Sequence, residues 1–240
     1  MNTLITNDQV TDSKWKSLYK AGGAGALIIG ALLLIEMIAY IATAAPSMTD
    51  AAGWFGLFHI NRFIGLVDFG ILELYALVLF VPMFLALYAT LRRASESYMA
   101  IAAVLAIVGI AVNFATSKLF SLLTLSDLYA AATTLEMKSQ FLAAGRATLA
   151  VGALGGIGGS VEGGIPLAVA GLIISVIMLR SNILGRTVGY FGLLANGVGM
   201  VMYFNATLAP AMSGSPFFGA FFLLSAIWFF LIGRKLLQVK

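Results

Sequence analysis

The sequence predicts an all-α, polytopic integral membrane bundle of about six transmembrane helices, with both termini cytoplasmic and amphipathic helices on the outer face. Three observations carry this expectation. Of 240 residues, 61% are hydrophobic and 10% charged, against about 25% charged in ordinary soluble domains; the mean hydropathy is +1.00. Apolar runs fall at about 21–45, 66–91, 98–125, 162–180, 188–208 and 216–233, each close to the ~20 residues a helix needs to cross a bilayer. Finally, if these runs alternate across the membrane, Lys14, Lys16, Lys20, Arg92, Arg93, Arg180, Arg186, Arg234, Lys235 and Lys240 share one side, leaving only Arg62, Lys118, Lys138 and Arg146 toward the other. Basic residues concentrate on the cytoplasmic side, so both ends are expected there.

Residues 1–20 form a polar cytoplasmic segment, and 21–240 read as one transmembrane domain. The stretch from Ala42 to Ala44 resembles a signal-peptide cleavage site. The apolar run before it, however, exceeds the usual h-region of about 7–15 residues, which favours an uncleaved first span. Gly22, Ala26 and Gly30 repeat every four residues along that span, and Gly189, Gly192, Gly197 and Gly199 thin the fifth. Such small residues let helix backbones approach closely, either within the chain or at a dimer face. The turns RRASES and RSNILGRT are short, so spans two and three, and four and five, are expected to pair as antiparallel hairpins. Pro82 and Pro166 can bend their helices and free carbonyls.

The outer connections are longer. Residues 46–63 carry aromatics with His59, Asn61 and Arg62 and suit a helix lying in the interface. Residues 126–147 align Leu128, Ala132, Leu135 and Leu142 on one stripe, with Asp127, Glu136 and Lys138 off it, which fits a helix folded over the outer ends of the spans. GALGGIGGSVEGG, 152–164, is a poor helix interior. It reads as a loop or broken helix start, or as a re-entrant element lining a cavity; lacking a Walker lysine or a complete G-x-G-x-x-G, it is not a phosphate loop.

Composition excludes several chemistries. With no cysteine and a single histidine, His59, disulfides, Fe–S clusters, thiol nucleophiles and multi-histidine zinc sites are ruled out within the chain. His59 is expected to be solvated, ligation of a metal or porphyrin being the alternative. The pI near 9.4 follows from topology rather than nucleic-acid binding. Signatures of membrane enzymes such as H-E-x-x-H are missing; no catalytic or metal residue is assigned, and a membrane enzyme using Glu36 and Glu73 for acid–base work is the third-ranked reading.

The ionisable residues inside the runs are more informative. Glu36 lies about 24 Å along the axis beyond Lys20, Glu73 about 28 Å before Arg92, and Lys118 about 30 Å beyond Tyr98, at 1.5 Å per residue. All three depths fall in the outer third of a bilayer, and Asp68, a turn further out, is expected to be solvated. A charge inside a span costs about 2.5–3.5 kcal/mol or more, so such groups pair or face a cavity. Glu36, Glu73 and Lys118 therefore form either an outward-facing polar pocket for a small ligand, ion or proton, or a buried salt bridge. Asn113 and Asn196 are candidate pocket residues as well; together with Ser117, Tyr203 and Asn205 they either extend a polar path inward or bond between helices.

WKSLYKAGGAGALIIGALLL, FLALYATLRR, VIMLRSNILGRTVGYFGLLANGVGMV and AIWFFLIGRKLL resemble a bacterial family of multispan membrane proteins catalogued as domain of unknown function 4386. The resemblance implies six-span topology and a bacterial inner (cytoplasmic) membrane location; it supplies no activity, cofactor or site residue. Two function classes follow. One binds or translocates a small ligand or ion. The other is a non-catalytic structural or accessory subunit, a homo-oligomer or part of a larger membrane complex, packing through small-residue faces.

Overall fold

Six long apolar helices close into a ring whose order around the circumference is the order of the chain. The structure, a computed structural model, describes residues 13–43, 45–152, 160–208 and 217–239. Its helices are α1 (Lys16–Thr43), α2 (Ala51–Ile60), α3 (Arg62–Asp68), α4 (Ile71–Leu91), α5 (Glu96–Thr116), α6 (Leu119–Ala131), α7 (Leu135–Gly152), α8 (Ser160–Ser181), α9 (Arg186–Leu208) and α10 (Phe217–Gln238). Among the described residues the lengths of chain apolar enough to span a bilayer lie along α1, α4, the α5–α6 stretch Glu96–Ala131, α8, α9 and α10. In the ring, α1 packs on α4, α4 on α5, α5 on α8, α8 on α9, α9 on α10, and α10 returns to α1.

Glycines make the closest of these contacts possible. A methyl group on Gly22 would stand 2.5 Å from the Ala86 Cβ and 2.7 Å from the Pro82 carbonyl on α4. Gly23 faces the Gly233 carbonyl, and Gly30 faces Phe230, both on α10. The small residues of the first span are thus used inside the chain, on two neighbours at once. Both expected hairpins form: the α8–α9 turn passes through Asn182 and Gly185 at φ 56° and 92°, and the Asn182 side chain accepts the Arg186 N–H at 3.1 Å. Inside the ring lie buried Ile29, Met83, Leu87, Met99, Ile174 and Met178. Outside, α1 exposes Ile28, Ile35 and Ile38, and α5 exposes Val104, Ile107 and Val108. Apolar side chains on both faces of a helix require lipid as the outer solvent.

The helices α2, α3, α6 and α7 form a cap with its own core of Trp54, Phe55, Phe58, Phe69, Leu119, Leu122 and Leu149. Trp54 is fully buried, donates its indole N–H to the Ser47 carbonyl at 3.1 Å and stands edge-on to Phe69 at 4.8 Å. Here the boundaries depart from the expected ones. The run 98–125 is broken: α5 ends at Thr116, Ser117 turns extended at ψ 129°, and Lys118 precedes the first residue of α6. Twenty-one residues, about 31 Å, already cross a bilayer, so α6 is free to bend into the cap. The second span begins at Ile71 rather than 66, because Gly70 at φ 97° separates it from α3. Residues 126–147 are split between α6 and α7; the break between them re-registers the face, so Leu128 and Leu135 are exposed while Ala132 is buried. Of the glycine-rich run, 153–159 lie outside the described residues, and the re-entrant reading falls there; Ser160 onward belongs to α8.

Candidate functional site

Three carboxylates from three helices gather where the cap meets the ring. Glu36 projects from α1 and is buried at 2% exposure. Neither of its carboxylate oxygens has a hydrogen-bond partner. It interacts electrostatically with Glu73 and Asp68. Depth arithmetic brought Glu36 and Glu73 to one level, and the structure places them together.

Asp68 is a correction. Expected to be solvated at the outer boundary, it is fully buried, because α3 doubles back beneath α2 and packs its C-terminal end on α1. Its Oδ2 faces the Thr43 hydroxyl at 2.7 Å, and that hydroxyl also lies 2.8 Å from the Ala39 carbonyl. One hydroxyl proton serves only one of these oxygens at a time. The other Asp68 oxygen, Oδ1, has no partner.

Glu73 is half-buried on the first turn of α4. It lines a small cleft with Phe69, Gly70, Leu77, Asn113 and Ser117, with about 10 Å³ of space for a water-sized sphere. That is room for roughly one water. Gly70 supplies the positive-φ corner that turns α3 into α4, so Asp68 and Glu73 flank one bend. Asn113 donates to the Gly109 carbonyl at 3.0 Å and packs against Gly163 on α8.

Lys118 forms no ion pair with either glutamate; among the described residues the one salt bridge joins Arg62 and Asp127 at 3.0 Å. The salt-bridge expectation rested on an unbroken third helix, and the break at Ser117 removes the register that would aim Lys118 at Glu73. A signal for the break lies in Asn113, Thr116 and Ser117, residue types whose side chains compete for backbone groups; Asn113 and Thr116 both bond to carbonyls one turn back. Asn196 lies elsewhere, in the α8–α9 seam against Gly171, donating to the Gly192 carbonyl at 2.8 Å. His59 is exposed on α2. Among the described residues no three His, Cys, Asp or Glu side chains lie close enough to hold a metal ion.

Among the described residues none of the three carboxylates forms an ion pair; Glu36 and Asp68 leave acceptor oxygens buried without a partner, and Glu73 alone of the three lines the water-sized cleft. The arrangement is chemically suited to taking up positive charge. Comparison with protein-family models, curated proteins and solved structures finds no match to this chain.

Proposed function

We propose that this multi-pass protein takes up a proton through an outward-facing cleft at Glu73 and holds it on the carboxyls of Glu73 and buried Glu36, with Asp68 nearby. The observation that carries the reading is Glu36, whose two oxygens are buried without a hydrogen-bond donor. A buried carboxylate left unpaired costs far more than one that is paired or neutralised. The cleft's size limits the ligand to something near a water molecule. The side of the membrane follows from the basic residues at the inner ends of the spans. The resemblance to the family of domain of unknown function 4386 supports a bacterial inner membrane as the setting.

The accessory-subunit reading draws less support. It calls for spare small-residue faces; Gly22, Gly23 and Gly30 are occupied by α4 and α10, and Gly189, Gly192 and Gly199 by α8 and α10, which leaves Gly197 as the one open glycine of these two stripes.

The test is thermal unfolding of the purified protein in detergent, against pH and against lithium, sodium and ammonium, for wild type and for the double variant Glu36→Gln/Glu73→Gln. A ligand at one hundred times its Kd adds about 2.7 kcal/mol. Wild type should be stabilised by acid and not by these cations, and the double variant should lose the acid response. Identical responses in the two proteins would defeat the reading.

A further inference from the structure

At the end of the ring opposite the cap, basic side chains gather with little to neutralise them. Among the described residues Glu96, at the start of α5, is the one acid there, and the one salt bridge lies on the cap. The α8–α9 turn concentrates this charge. Arg180 stands in the last turn of α8, and Arg186 opens α9. Lys235 reaches over from α10: its Nζ lies 4.0 Å, and its Cε 3.9 Å, from the place a methyl group on Gly185 would take. The ammonium is therefore held against the turn one residue from Arg186. All three side chains are exposed, and none forms an ion pair or hydrogen bond among the described residues. The first N–H of α9 is already taken by the Asn182 side chain, so what the turn leaves unanswered is side-chain charge. Cations drawn to one turn repel each other, and an anion between them reverses the sign of that interaction.

Beyond Arg186 the same face of α9 is bare. Tyr190 and Leu194 follow at four-residue steps, which keep to one side of a helix, and they are 59% and 55% exposed. Gly197, a heptad step from Tyr190, has nothing within 4 Å of an added methyl group. At 1.5 Å per residue these three lie about 6, 12 and 16 Å from Arg186. One leaflet's hydrocarbon is about 15 Å deep, half of a ~30 Å core. The face thus runs from a cation, through an aromatic ring of the kind that sits at headgroup level, to open aliphatic surface, over the length of one phospholipid. Charge decides the class. A zwitterionic headgroup would bring its own ammonium up to Arg186 and Lys235, whereas an anionic one brings only the sign the turn lacks. The guanidinium fork matches phosphate oxygens, and the lysine adds a compact point charge.

We propose that Arg186 and Lys235 bind the phosphate of an anionic phospholipid whose acyl chains lie along Tyr190 and Leu194 of α9. Basic pockets between membrane helices take anionic headgroups by the same chemistry. The site lies at the opposite end of the bundle from the Glu73 cleft, and it stands or falls independently of proton uptake there.

Native mass spectrometry of the purified protein, titrated with phosphatidylglycerol or phosphatidylcholine of identical chains, tests it. Wild type should hold phosphatidylglycerol roughly tenfold more tightly or better. Arg186→Gln/Lys235→Gln should weaken phosphatidylglycerol binding roughly thirtyfold, about fivefold for each basic residue at an anionic headgroup. Phosphatidylcholine binding should stay unchanged, which shows that the variant is folded. Lys20→Gln/Arg93→Gln removes the same charge from exposed positions at the same end of the ring and should alter either affinity by less than about threefold. Equal weakening by the two double variants, or no preference between the two lipids, overturns the site. Displacement of phosphatidylglycerol by an equal concentration of glycerol 3-phosphate, which has the phosphate without the chains, overturns the lipid as its occupant. A dimer peak that excludes the lipid adduct does the same and gives the face to a second copy.

Discussion

Gly22 sits where α1 leaves no room for a methyl group, since the obstacles are the Ala86 Cβ and the backbone of Pro82 and Met83 on α4. Backbone atoms do not swing aside as a side-chain end does, so Gly22→Ala should cost about 1–3 kcal/mol by overpacking. Gly197 on α9 has nothing within 4 Å of the same added atom; Gly197→Ala should be neutral or gain about 0.5–1 kcal/mol from helix propensity. Thermal unfolding of the two variants side by side measures the difference, and equal effects would mean that the α1–α4 contact is looser than it stands here. The spacing of Gly22, Ala26 and Gly30 announced a close helix contact, but not its partners. The carboxylates divide in the same way. Glu36 and Glu73 were legible because each sits on an unbroken helix anchored by a basic residue at its inner end, so residue number converts to depth. Asp68 was not, because its position depends on how a seven-residue helix folds back beneath another, which no periodicity records. Lys118 failed through the same conversion applied across a helix break.

Trp54 holds the cap together as an element, and the Arg62–Asp127 pair on its surface does not. Both partners of that pair are 55% exposed, and such pairs contribute at most about 1 kcal/mol. Trp54, fully buried and packed on Phe58 and Phe69, should cost about 3–5 kcal/mol on truncation to alanine. Because the chain has no native cysteine, a single Leu119→Cys reports on the cap directly; Leu119 is 1% exposed in the cap core. Maleimide labelling should be slow in that background, fast when Trp54→Ala is added, and still slow with Asp127→Asn. Equal labelling in all three would mean that the cap does not depend on its aromatic core. The cap as a set of outer helices was foreseeable from the aromatics of 46–63 and the amphipathic run of 126–147. Its joints were not, since Asn61, Gly70 and the break after Ala131 redirect the chain through local dihedrals and caps that a count of apolar residues averages away.

At the scale of the whole molecule, ring closure constrains topology. Each span packs against its chain neighbours, and α1 meets α10 through Gly23, Gly30, Gly233 and Phe230, so the first and last helices are antiparallel partners in one bundle. Six crossings return the chain to the side from which it started, and the basic residues flanking one end of α1, α4, α8 and α10 are the basis for proposing that this side is the cytoplasm. In that proposed orientation the acidic cleft and the cap face outward, which the proposed uptake from outside requires. Single cysteines again read this out: Thr49→Cys lies exposed just ahead of α2, and Gln238→Cys lies exposed at the end of α10. In intact cells a membrane-impermeant maleimide should label position 49 and spare position 238 until the membrane is opened. Labelling of 238 alone would invert the molecule and turn the cleft toward the cytoplasm. Labelling of both in sealed cells would mean an even number of crossings between them, whereas α4, α5, α8, α9 and α10 make five.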